Sequence, residues 1–149
     1  MLAVHESTHV CGLLLFRIPF AEVDVTGKHG FPGFVSTPGR TGWEGDPGFL
    51  VAVLMAPAAE AVLLGEPVSA ALRTSSINDY RMTVDAVGEL VADEVLTWAV
   101  GLVPHYAARI DAVAAALLET GTMTQAQVLD VLTPIRTFPT VSKVGGTRP

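Results

Sequence analysis

Apolar residues run in long blocks over most of this chain and alternate with polar ones only briefly, a pattern that predicts helices with one small β element. Met1-Leu2-Ala3-Val4 and Val10-Cys11-Gly12-Leu13-Leu14-Leu15-Phe16 flank a polar pentad with no proline before Pro19, as expected of a buried helix at the start. Ile18-Pro19-Phe20 then makes a turn, and Glu22-Val23-Asp24-Val25 alternates in the manner of a half-buried strand. A second short strand is expected at Phe34-Val35, joined to the first through the turn-rich Gly27-Lys28-His29-Gly30-Phe31-Pro32-Gly33, so that the two form a hairpin or ribbon. Thr37 to Gly48, rich in Gly, Pro and polar residues, is expected to be a surface loop. Helices are expected over Pro47–Leu64, Asn78–Val100, Pro104–Thr120 and Thr124–Leu132, with Pro57 kinking or dividing the first of them and Gly65-Glu66-Pro67 ending it. Thr124 offers a cap to the last helix after Gly121. The expected fold class is therefore mainly α with a small hairpin after the first helix, organised as a domain over residues 1–132 and an irregular tail over 133–149.

Composition narrows the class. With 149 residues, half of them hydrophobic and 16% charged, the chain can bury one sizeable core and is not disordered. A net charge of −6, with nine Lys and Arg scattered along the chain, gives no basic face for phosphates, so no nucleic-acid partner is expected. Phe49 to Leu64 is the most membrane-like stretch, but it contains Pro57 and Glu60 and falls short of the ~18 uninterrupted apolar residues that spanning requires. No positively charged segment precedes an apolar run at the start, so no signal peptide is expected. The single cysteine, Cys11, cannot form an internal disulfide and reads as a small core residue, which fits a cytoplasmic location.

The polar pentad carries the chemistry. His5-Glu6-Ser7-Thr8-His9 is an HExxH sequence, and on a helix its two histidines lie one turn apart on the same face, able to reach one tetrahedral metal ion. Glu6 beside them is placed to take a proton from water that the metal has acidified toward a pKa of ~7. A catalytic zinc normally has a third protein ligand. The metzincin continuation, HExxHxxGxxH, does not apply: Gly12 stands at its glycine position, but Leu15 stands where its third histidine belongs. His29, in the hairpin loop, and His105, at the start of a late helix, read as solvated surface residues. Two acids are left. Glu60 lies on the otherwise apolar Ala58-Ala59-Glu60-Ala61-Val62, where a carboxylate is costly without a partner. Asp79 opens the next helix, and Ser76-x-x-Asp79 also fits a capping box. The residues alone leave this choice open.

In order and approximate spacing, Ala3-Val4-His5-Glu6-Ser7-Thr8-His9, Arg17-Ile18-Pro19-Phe20, Ala58-Ala59-Glu60, Ile77-Asn78-Asp79 and Leu117-Leu118-Glu119 resemble the peptidase domain of the FtsH-type ATP-dependent zinc metalloproteases. The resemblance runs from residue 3 to about 132. It implies Zn2+ held by His5, His9 and Asp79, Glu6 as catalytic base, and Glu60 near the metal in a supporting role. It also implies that the strand Glu22 to Val25 borders the cleft and accepts an extended peptide by strand addition. Ser7-Thr8 stand where the family has Ala-Gly, which would bring two hydroxyls close to the metal, and Pro57 stands where it has arginine, which would bend the helix carrying Glu60. No P-loop sequence and no membrane span occur, so the resemblance covers the peptidase part alone.

These readings converge on a zinc metallopeptidase that cuts flexible or unfolded polypeptides, and they leave open a homo-oligomer or a separate ATPase partner. The alternatives are a non-catalytic metal-binding regulatory module on the same fold, or a helical interaction domain in which HExxH is accidental.

Overall fold

In the computed structural model, residues 1–38, 45–65, 67–72 and 76–135 are described. The first helix, α1 (Leu2–Leu15), ends where the sequence turns: Arg17 takes a left-handed φ of 58°, and Ile18 and Arg17 donate back to the carbonyls of Leu13 and Leu14. Those two bonds close the helix in a Schellman arrangement and send the chain into the hairpin. Strands β1 (Glu22–Asp24) and β2 (Phe34–Ser36) pair antiparallel as expected, with Val23 opposite Val35. Asp24 Oδ1 accepts from the Thr26 N–H and hydroxyl and so shapes the loop between them.

Helix α2 (Pro47–Leu63) starts with Asp46 accepting from the Phe49 N–H at 3.0 Å and Pro47 in the first turn, where a missing N–H costs nothing. Every residue from Leu50 to Glu60 is buried, as expected of a helix that is apolar on all sides. That enclosure explains why Pro57 neither ends nor divides it: packing on every side offsets the one lost backbone bond. Then follow α3 (Val68–Ala71), α4 (Ile77–Val87), α5 (Glu89–Thr120), strand β3 (Thr122–Thr124) and α6 (Gln125–Leu132).

Several expected boundaries differ. The helix expected over Asn78–Val100 is broken at Gly88, whose φ of 84° suits glycine and disfavours other residues. Pro104 does not start a helix but sits inside the 32-residue α5, which Ala99, Val103, Tyr106 and Ile110 anchor to the core across it. Thr122–Thr124, expected as a cap alone, forms a third strand on the far side of β1, with Met123 opposite Val23. Thr124 also caps α6 in a capping box with Gln127. Of the expected tail, residues 133–135 close α6 and 136–149 lie outside the described residues. The chain is thus mainly helical with a small three-stranded sheet in the order β2-β1-β3. None of the described helices is long and apolar enough to cross a membrane.

The core lies among α1, α2 and α5, with Val10, Leu54, Met55, Ala99, Val103 and Ile110 fully enclosed. Its tightest crossing is between Gly12 and Ala52: a Cβ on Gly12 would stand 2.7 Å from Ala52 Cα. Gly12, which serves no metzincin role, is therefore what lets α1 and α2 approach. Gly12→Ala should force the helices apart and destabilise the protein by about 1–3 kcal/mol, the usual cost of overpacking a close-packed site; denaturant unfolding measures it, and parental stability would show that the crossing can yield.

Candidate metal centre

One turn of α1 places His5 and His9 with their rings edge to face, 4.7 Å between centroids, and their Nε2 atoms 3.1 Å apart. The partners of the other ring nitrogens fix the tautomers. His9 Nδ1 lies 3.2 Å from the Ala52 carbonyl, which can only accept, so Nδ1 carries the proton. The close helix crossing at Gly12 is what brings that carbonyl within reach. His5 Nδ1 lies 3.0 Å from Glu60 Oε1, a buried carboxylate, and likewise donates. Both Nε2 lone pairs are then aimed at each other, an arrangement that repels unless a cation lies between them.

The first turn of α4 brings the third group. Asp79 Oδ2 stands 3.3 Å from His5 Nε2 and 3.5 Å from His9 Nε2, and it is buried with no hydrogen-bond partner among the described residues. A buried carboxylate oxygen without a donor is costly, and two histidine lone pairs beside it raise that cost. A tetrahedral ion with bonds of about 2.0–2.1 Å sets its ligand atoms about 3.3–3.4 Å apart. The three observed separations, 3.1, 3.3 and 3.5 Å, bracket that spacing. Among the described residues, His5, His9 and Asp79 form the group able to hold a metal ion, and no further protein ligand joins them, which leaves a fourth position open.

Without a metal, a proton does part of the same work. Burial is the largest influence on His5 and favours the neutral ring, but contacts with Asp79 and Glu60 and the charges of Asp79 and Glu6 outweigh it and push the ring up to about 10. Burial likewise favours neutral Asp79, yet the neighbouring histidines hold it well below the usual carboxylate range. A proton shared inside the triangle must leave when a metal enters.

The remaining residues fall into place around this triangle. Glu6 is 5% exposed; burial raises its carboxyl above the usual range, partly offset by the charges of His9 and His5. The hairpin covers it: a Cβ on Gly33 would collide with the Glu6 carboxylate, so a larger residue there would displace that carboxylate. Glu60 lies on the Nδ1 side of His5, away from the converging Nε2 and Oδ2 atoms. The resemblance would bring the Ser7 and Thr8 hydroxyls close to the metal, but both instead bond helix carbonyls, Ala3 and Val4, at 2.5 and 2.6 Å. Cys11 is a core residue whose thiol burial pushes up to about 12. His29 pairs with Glu22 on the exposed sheet surface, and His105 lies on the exposed side of α5.

Two features were not read from the sequence. Ser76, expected to cap α4 with Asp79, makes no cap bond; its hydroxyl lies 3.3 Å from His5 Nδ1. Strand β1 cannot take a peptide on its edge, because β2 and β3 occupy both sides. Among the described residues both outer strands, β2 and β3, keep one edge unpaired, and it is Phe34 and Val35 of β2 that line a cavity of about 580 Å3 together with His5, His9 and Asp79. Leu13, Phe49, Val53 and Met82 make the other walls apolar.

Scanned against protein-family models, the chain matches none, and no curated protein matches it either.

Proposed function

We propose that this chain is a zinc peptidase acting on extended or unfolded polypeptides. The observation that carries this reading is the convergence of two histidine lone pairs and an unpartnered carboxylate oxygen beside a buried glutamate, in the lining of an apolar cavity. Zinc suits a site of two imidazoles and one carboxylate with a position left open, and there it supplies Lewis acidity toward water and a carbonyl oxygen.

The chain's own residues do the rest. His5 and His9 present Nε2 because Glu60 and the Ala52 carbonyl hold their Nδ1 protons. Glu6, desolvated and made more basic than an exposed carboxylate, accepts the proton of the attacking water and passes it to the departing amine. Among the described residues the outer edge of β2 is unpaired and offers backbone groups to an extended chain, while the apolar walls exclude water and take its side chains. A folded substrate cannot lie along a strand edge in this way.

The purified protein should contain one zinc per chain and cut casein or a flexible peptide without ATP, leaving a stable folded domain intact except at its loose ends. Zinc without cleavage would support the non-catalytic metal-binding module instead. Absence of both would make the motif accidental. Acceleration by ATP only when a separate ring ATPase is added would identify a partner that delivers substrates.

A further inference from the structure

One turn of α4 grips the His5 ring from both sides: Asp79 Oδ2 faces Nε2 at 3.3 Å, and the Ser76 hydroxyl faces Nδ1 at 3.3 Å. Ser76 is fully buried and holds the N-cap position of α4, yet it bonds none of that helix's free N–H groups. Serine is favoured at this position because it makes such bonds. Here the hydroxyl is turned instead toward a ring 71 residues away in the chain. His5 Nδ1–H is already donated to Glu60 Oε1 at 3.0 Å, so Ser76 Oγ is a second acceptor for the same proton, approaching from a different helix.

We propose that Ser76 is a positioning residue of the metal centre: with Glu60 it fixes the plane of the His5 ring, and it ties that ring to the turn that carries Asp79. One acceptor leaves a ring free to pivot about its hydrogen bond; two acceptors on separate elements restrict the pivot. Groups that orient a metal-binding histidine in this manner tune affinity without touching the ion. The inference rests on the metal-centre reading of His5, His9 and Asp79 and is independent of whether peptides are cut.

The test measures zinc dissociation constants for the full chain by competition with a chromophoric chelator, together with the absorption spectrum of the Co2+-loaded protein. Ser76→Ala should weaken zinc about tenfold, at the low end of the range for such supporting groups, and alter the Co2+ bands. The melting temperature of the metal-free protein should fall only slightly, since no cap bond is lost and Glu60 still accepts the His5 Nδ1–H. Thr83→Val is the control: Thr83 is equally buried on α4, but its hydroxyl bonds the Asp79 carbonyl within the helix, so affinity and spectrum should hold. Combining Ser76→Ala with Glu60→Gln should cost less than the product of the single effects, because both act through one N–H. If the alanine protein does not fold, Ser76→Gly carries the same expectation. Parental zinc affinity in Ser76→Ala would overturn the proposal, as would equal weakening by Thr83→Val, which would indicate general loosening of α4. A parent that binds no zinc would instead remove the metal-centre reading itself.

Discussion

Replacing Glu6 by glutamine is expected to lower peptide hydrolysis by about 10²–10⁴-fold, the usual contribution of a positioned general base, while leaving the metal bound. The two readouts separate because Glu6 is not part of the converging triangle and makes no hydrogen bond with any described residue that the change would break. Glutamine keeps the length and volume under Gly33, where the hairpin rests on the side chain, so the cavity retains its shape. What it loses is the ability to accept a proton. Turnover of a quenched peptide, set beside zinc content, measures both; cleavage at the parent's rate would remove Glu6 from the mechanism. Loss of zinc would make Glu6 a ligand, contrary to the geometry.

The sequence revealed this centre unevenly, and the reason differs for each residue. His5, Glu6 and His9 are legible because their relation is local: helical periodicity alone puts residues four apart on one face. Asp79 and Glu60 could not be told apart, since each is an acid on a helix and the choice depends on which side of the His5 ring each reaches. Folding places Glu60 at Nδ1 and Asp79 at Nε2. Ser76 was misread because the local rule, a serine three residues before an acid, is outweighed by a tertiary contact. The same holds for the fold. Helices α1, α2 and α6 follow from their apolar blocks and caps, whereas the three residues of β3 are too short a stretch to signal a strand and form one because Met123 and its neighbours pair with β1. Pro104 read as a helix start because nothing local reports that Val103, Tyr106 and Ile110 clamp the helix on both sides of it.

Asp79→Ala should weaken zinc by more than about 100-fold, beyond the 10–100-fold that an orienting residue costs, because it removes one of three ligand atoms rather than a neighbour of one. Asp79→Asn should fall between, since an amide oxygen is a poorer but competent donor. The competing account is the capping box: an acid in the first turn of α4 serves the free N–H groups, and its loss costs about 0.5–2 kcal/mol of stability with zinc binding intact. The structure already weakens that account, since Ser76 makes no cap bond and Asp79 Oδ2 turns toward the two histidines. The metal-free proteins sharpen the contrast. There Asp79 helps hold a proton on His5, so its removal should lower the pKa of that ring, which NMR titration can read, whereas the loss of a cap would leave the ring untouched. Full zinc affinity in Asp79→Ala, with stability reduced and the His5 titration unmoved, would return Asp79 to a structural role. Glu60 would then become the candidate third ligand, which requires the His5 ring to turn over and present Nδ1 to the metal.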